Sequence, residues 1–88
     1  MILFFSKKFE EQLDNIREQN ILDSVSLIIQ KLNDADSLKD IPNLKKLKGH
    51  KNAYRIRIGD YRIGFYNEKT GLFITTIAYR KDIYKKFP

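Results

Sequence analysis

The chain has 88 residues, 42% of them hydrophobic and 32% charged, with a net charge of +6, which suits a single domain over residues 1–88 with one modest core. There is no cysteine and one histidine, His50, so no disulfide framework or thiolate metal site is available and no metal or cofactor is expected. No apolar run approaches the roughly 20 residues that span a bilayer, and MILFFSKKFEE lacks the basic leader and long apolar region of a signal peptide; a soluble cytoplasmic protein with no membrane partner is expected.

Ile2 to Phe5 is a short apolar run with strand character. Ser6 follows as a helix N-cap. Phe9, Leu13 and Ile16 then recur at helical spacing, with Glu10 and Glu11 in the first turn, where the helix dipole favours them. A break is expected near Gln19-Asn20, with Asn20 capping a second helix that ends near Asp34. Its apolar stripe is Ile21, Leu22, Val25, Ile28, Ile29 and Leu32. Two such helices with a short link suggest an antiparallel hairpin packed on a core. Glu10, Glu11, Asp14 and Glu18 suit a solvated helix surface.

Residues 35–53 look irregular. Ile41-Pro42 opposes a continuous helix, because the residue before proline is pushed out of the α region. Leu44 and Leu47 look like anchors for the basic segment KKLKGHKN. Lys45, Lys46, Lys48 and Lys51 fit either a solvated loop or a rim that steers a polyanion as a substrate-binding element. His50 is expected to be exposed in this segment.

The segment Tyr54 to Glu68, YRIRIGDYRIGFYNE, alternates, turns on Gly59-Asp60 and alternates again, the pattern of a β-hairpin. A two-residue turn puts Ile58 opposite Tyr61, Arg57 opposite Arg62, Ile56 opposite Ile63 and Tyr54 opposite Phe65. One face then carries Tyr54, Ile56, Ile58, Tyr61, Ile63 and Phe65 and calls for a core. The other carries Arg55, Arg57, Arg62, the gap at Gly64, and Tyr66. Like charges directly opposite each other cost stability, so an anionic ligand is expected on that face, and guanidinium suits phosphate. The charge distribution agrees. Residues 1–44 hold five basic against eight acidic side chains, a net of −3, and residues 45–88 hold twelve against three, a net of +9. A third strand, Leu72 to Tyr79, follows a five-residue loop over Asn67 to Gly71. Pairing Tyr66 with Leu72 places Phe73 and Thr75 in the core and Ile74, Thr76, Ala78 and Arg80 on the arginine face, and one bulge would reverse this. In the basic tail RKDIYKKFP, Ile83, Tyr84 and Phe87 can fold back. The predicted order is β-α-α-β-β-β, an α+β fold. It has a mostly antiparallel four-stranded sheet, a helical hairpin on one face and the arginine face open.

The strand order, the LKKLKG approach, the YRIRIGDYRIGFY hairpin and the closing IAYRKDIYKKF resemble RelE/ParE-type bacterial toxins over essentially the whole chain, closest to the RelE side. The resemblance implies the toxin of a type II toxin–antitoxin system. It implies a ribosome-dependent, metal-independent endoribonuclease that cuts mRNA by attack of a ribose 2′-hydroxyl on the adjacent phosphate. A cognate antitoxin, the ribosome and mRNA are the implied partners. Matched to the family pattern, the first hairpin strand supplies Arg55 and Arg57, the second Arg62, the end of the last strand Arg80, and the tail Tyr84. Arginines stand at two hairpin positions that are lysines in well-known relatives. Tyr79 stands where many have histidine, and Arg80 to Tyr84 is a shorter gap. Lysine can act as a base, whereas arginine effectively cannot. A ParE-like inhibitor of DNA gyrase and a non-catalytic nucleic-acid-binding module are the alternatives. Tyr66 alone among aromatics on the arginine face makes a weak stacking platform for the latter.

Overall fold

The computed structural model describes residues 1–88. Strand β1 (Leu3–Phe5) leads into helix α1 (Lys7–Asp14) and helix α2 (Gln19–Asp34). A 3₁₀ turn (Leu38–Asp40) leads to β2 (Leu44–Lys46), β3 (Ala53–Ile58), β4 (Tyr61–Glu68), β5 (Gly71–Tyr79) and a short α3 (Ile83–Lys86). One sheet of five strands results, in the order β1-β5-β4-β3-β2. Only the β1–β5 pair is parallel. The α+β class and the hairpin register are as expected, with Ile58 opposite Tyr61 and Arg57 opposite Arg62.

Ser6 starts α1 by side-chain chemistry. Its Oγ accepts from the Phe9 amide at 3.0 Å and donates to the Thr75 carbonyl at 3.0 Å, so one hydroxyl both caps the helix and fixes it to β5. Past Phe5, β5 has no strand on that side. There the Ile77 amide donates to Gln12 Oε1 at 2.9 Å, and α1 covers what would be an open edge. The second helix begins earlier than the sequence suggested. Its N-cap is Glu18, without a side-chain capping bond, and Asn20 lies inside the first turn. The backbone sets the start here: the Ile21 and Leu22 amides both donate to the Glu18 carbonyl at 3.1 Å, and Ile21, Val25, Ile28 and Leu32 are all buried.

Three expectations about the sheet need correcting. Leu44–Lys46, expected in an irregular stretch, forms a fifth strand, with Leu44 opposite Ile56 and Lys45 opposite Arg55. Three residues with two lysines are too few to print an alternation. The connection between β4 and β5 is tighter than expected, since β4 runs to Glu68 and β5 begins at Gly71. Finally, a register shift falls at Gly64/Phe65, where Gly64 pairs with Thr76 and Phe65 with Ile74, leaving Thr75 as the extra residue. The tight turn, with Glu68 opposite Gly71, already puts Ile74 opposite Phe65 in the core and Phe73 opposite Tyr66, the reverse of the expected assignment; the bulge then brings Ile77 opposite Ile63. Beyond it, Thr76 and Ala78 stand opposite Gly64 and Arg62, partners other than those expected but on the expected arginine face. The gain is that Ile74 and Ile77 both reach the core, at 0% and 2% exposure.

The main core lies between the helices and one sheet face. It joins Phe9, Val25, Ile28 and Leu32 to Ile56, Ile63, Phe65, Leu72, Ile74 and Ile77. The other face is not left wholly open. Leu47, Ala53, Ala78, Ile83 and Phe87 form a second small core there, with Tyr66 against it. The tail therefore docks on the sheet and roofs part of the arginine face.

Tyr61 ties the hairpin to the start of α2. Its hydroxyl donates to the Glu18 carboxylate, 3.3 and 3.5 Å from the two oxygens. Burial, then the Glu18 charge and hydrogen bond, raise its pKa above the ordinary 10.0. A raised acid pKa stabilises the fold fully below the unfolded value, and the contribution is lost as pH rises through the folded value. Tyr61→Phe should cost about 0.5 kcal/mol at neutral pH. It should lose less stability than wild type from about pH 9 to about pH 11. Urea midpoints at both ends of that range check it; parallel declines would count against the Glu18 contact.

Candidate functional site on the arginine face

Strand pairing builds the site. Arg55 and Arg57 alternate on β3, Arg62 stands opposite Arg57, and Lys45 stands opposite Arg55. In antiparallel pairs, opposite residues share a face, so the four cations share one. They border a cleft of about 390 Å³ lined by Asn43, Leu44, Lys45, Arg55, Arg57, Arg62 and Tyr84. No Asp or Glu side chain is among them, so the cleft carries four positive charges and no side-chain counter-charge. That arrangement attracts an anionic group.

Each guanidinium is held differently. Arg62 Nη1 donates to the Gly59 and Tyr61 carbonyls at 3.0 and 2.9 Å, which bends the side chain back over the hairpin turn. Arg57 Nη2 donates to Asn43 Oδ1 at 3.3 Å, and the Arg57 amide donates to the Asn43 carbonyl at 3.2 Å. Arg55 lies over the Tyr84 ring, its Cζ 4.8 Å from the centroid, a cation–π contact. Tyr84 itself is 75% exposed, while its helix neighbours Ile83 and Phe87 are buried. The tail thus docks through Ile83 and Phe87 and leaves Tyr84 free at the cleft.

Gly64 makes this docking possible. A Cβ there would fall on the Phe87 ring, 2.7 Å from Cδ1. The gap seen between the arginines in the sequence is the seat of Phe87.

The structure separates the remaining basic residues. Arg80 follows the end of β5 and lies beside the hairpin turn. Its amide donates to the Asp60 carbonyl at 2.7 Å, its Nε is 4.0 Å from Asp60 Oδ1, and it does not line the cleft. Lys48 and His50 line a second depression of about 390 Å³ that shares Lys45, Arg55 and Tyr84 with the first. Lys46 stands opposite Tyr54, on the face that carries Tyr54 and Ile56, and Lys51 is exposed outside both depressions. Asn43 is a cleft residue that the sequence reading missed. It holds φ at 61°, a left-handed conformation that asparagine tolerates better than most residues. The Pro42-Asn43 pair was the available signal, since both are turn formers.

No protein-family model matches the chain. Among curated proteins, Toxin RelE3 of Methanocaldococcus jannaschii is 36% identical over 89 residues and covers 100% of both chains. Among solved structures, a chain of the RelB-RelE antitoxin-toxin complex from Methanococcus jannaschii superposes with a TM-score of 0.82 at 34% identity, covering 97% of this chain and 99% of that one. The YoeB dimer from Staphylococcus aureus shares the fold, with a TM-score of 0.71 at 17% identity over 88% of this chain and 93% of that one. With a full-length relative at this identity and a fold that superposes throughout, the chain belongs to the RelE family of toxins.

Proposed function

We propose that the protein is the toxin of a toxin–antitoxin pair and acts as an endoribonuclease that cuts mRNA on the ribosome, in the cytoplasm. The observation that carries the reading is the convergence of Arg55, Arg57, Arg62 and Tyr84 on one cleft. In this reading a ribose 2′-hydroxyl attacks the adjacent phosphorus and displaces the 5′-oxygen. Negative charge grows on the equatorial oxygens as the pentacovalent transition state forms. Guanidinium groups that line the cleft stabilise that charge more than the ground state, which is the productive use of binding energy. Arg62 is held by the turn carbonyls and Arg57 by Asn43, so little reorganisation is needed when the phosphate arrives. Tyr84, exposed beside Arg55, orients the nucleotide next to the scissile bond. Lys45 and Lys48 extend the positive field along the strand.

A cognate antitoxin is the second partner in this reading. A relative at 34% identity is named in complex with an antitoxin, RelB. A cleft with four cations calls for an acidic partner in the producing cell, and a disordered acidic segment that folds on binding can wrap such a surface.

The experiment is induction of the protein in cells with mapping of mRNA 5′ ends. Cuts confined to translated regions, suppressed by co-expression of the adjacent small reading frame, are expected. Intact mRNA with broken DNA would transfer the protein to the gyrase class.

A further inference from the structure

We propose that His50 is the proton acceptor for the 2′-hydroxyl. This rests on the nuclease reading and goes beyond its phosphate-binding set. Attack by the 2′-oxygen requires its proton to leave. Arginine cannot accept it at any accessible pH, which removes Arg55, Arg57 and Arg62. Lysine and tyrosine exchange protons near neutral pH less readily than imidazole, so Lys45, Lys48 and Tyr84 rank behind a histidine. No carboxylate side chain borders either depression. Imidazole is the side chain that ordinarily exchanges protons between about pH 5 and pH 8, and His50 is the one histidine in the chain.

Its placement fits the task. His50 lines the depression that continues the arginine cleft across the shared wall of Lys45, Arg55 and Tyr84. A strand crossing that wall with its phosphate toward Arg57 and Arg62 brings a neighbouring ribose toward His50. The residue is exposed, yet its loop is fixed. The His50 amide donates to the Leu47 carbonyl at 3.4 Å, the Leu47 amide donates to the Ala53 carbonyl at 2.9 Å, and Leu47 is buried. Gly49 supplies the left-handed turn, with φ at 79°. The groups facing His50 are Lys45 from β2, Lys48 from its own loop, Arg55 from β3, and Tyr84 and Pro88 from the tail, with Lys51 next in the chain.

The 2′-oxygen forms its bond to phosphorus and its proton passes to the imidazole. The bond from phosphorus to the 5′-oxygen breaks with its electron pair, and that oxygen takes a proton from water. The products are a 2′,3′-cyclic phosphate and a 5′-hydroxyl, and the hydroxide left from water neutralises the imidazolium.

The test compares wild type with His50→Gln in single-turnover cleavage of a short mRNA on programmed ribosomes, with toxin in excess, from about pH 5.5 to pH 8.5. Wild-type cleavage should rise with pH and level off. His50→Gln should lower the maximal rate by about 10²- to 10⁴-fold and flatten the profile. The toxin concentration for half-maximal rate and the melting temperature should stay as in wild type. Added imidazole should partly restore His50→Ala. A His50→Gln variant with wild-type rate and pH profile would overturn the proposal and leave the nuclease reading standing. So would one that only weakens half-saturation, which would make His50 a binding residue. Absence of cleavage by wild type itself would bring down the nuclease reading and this proposal with it.

Discussion

Phe87→Ala should release α3 from the sheet and abolish most activity while the rest of the fold persists. A four-residue helix has no stability of its own, and α3 is docked through Ile83 and Phe87. The Phe87 ring is 3% exposed, sits over Gly64 and lies 5.0 Å from the Tyr66 ring. Truncating a buried phenylalanine costs about 3–5 kcal/mol when the surroundings cannot adjust. Here they can, because the tail can detach and leave the five strands paired. The loss in global stability is therefore expected at about 2 kcal/mol, below that range. The sharper effect is local. Tyr84 reaches the cleft only because Ile83 and Phe87 hold the helix down, so undocking removes it from Arg55. Hydrogen exchange at residues 83–87 should become fast, with β4 and β5 still protected. Gly64→Ala approaches the same state from the other side. Its Cβ would sit 2.5 Å from Phe87 Cδ2, and overpacking of this kind costs about 1–3 kcal/mol. Either variant keeping slow exchange in α3 and full activity would mean that the docked tail does not position Tyr84.

The hairpin was legible because it is local. A strict alternation and a two-residue turn fix both register and face, and Arg55, Arg57 and Arg62 fell on one side without further information. What was lost needed partners distant in sequence. Leu44–Lys46 becomes a strand because β3 offers it an edge, and nothing within three residues announces that. The bulge at Gly64/Phe65 decides whether Thr76 or Ile77 stands opposite Ile63 in the core, a comparison between helix and sheet that alternation cannot make. Arg80 follows the same logic. Parity along a bulge-free β5 placed it on the arginine face, but the chain leaves the sheet at Tyr79 and Asp60 draws the next residue to the turn. The role of Gly64 was half visible. The absence of a side chain between arginines marked a space, and only the folded tail assigns that space to Phe87.

Arg55→Ala should be the most damaging single change in the cleft. Arg55 is the one arginine common to both depressions, so it borders the proposed phosphate cleft on one side and the depression that His50 lines on the other. It also supplies the cation over the Tyr84 ring. Loss of one preorganised donor to a developing oxyanion commonly costs about 10²–10³ in rate, and the upper end is expected here because Tyr84 loses its partner as well. Arg55→Lys should recover little. An ammonium keeps the charge, but it lacks the flat face for the ring and the fork for two phosphate oxygens. Stability should hardly change in either variant. Arg55 stands opposite Lys45 on the neighbouring strand, and removing a like-charge pair offsets the lost packing. Arg80→Ala is the matching control. Its side chain is 56% exposed, 4.0 Å from Asp60 and outside the cleft, so a fall of less than about tenfold is expected. Growth arrest on induction, scored beside ribosomal cleavage of a defined mRNA and thermal melting, separates the two variants. Equal losses from Arg55→Ala and Arg80→Ala would mean that substrate draws Arg80 away from Asp60 into the cleft. Undiminished cleavage by Arg55→Ala would move the chemistry off this face of the sheet.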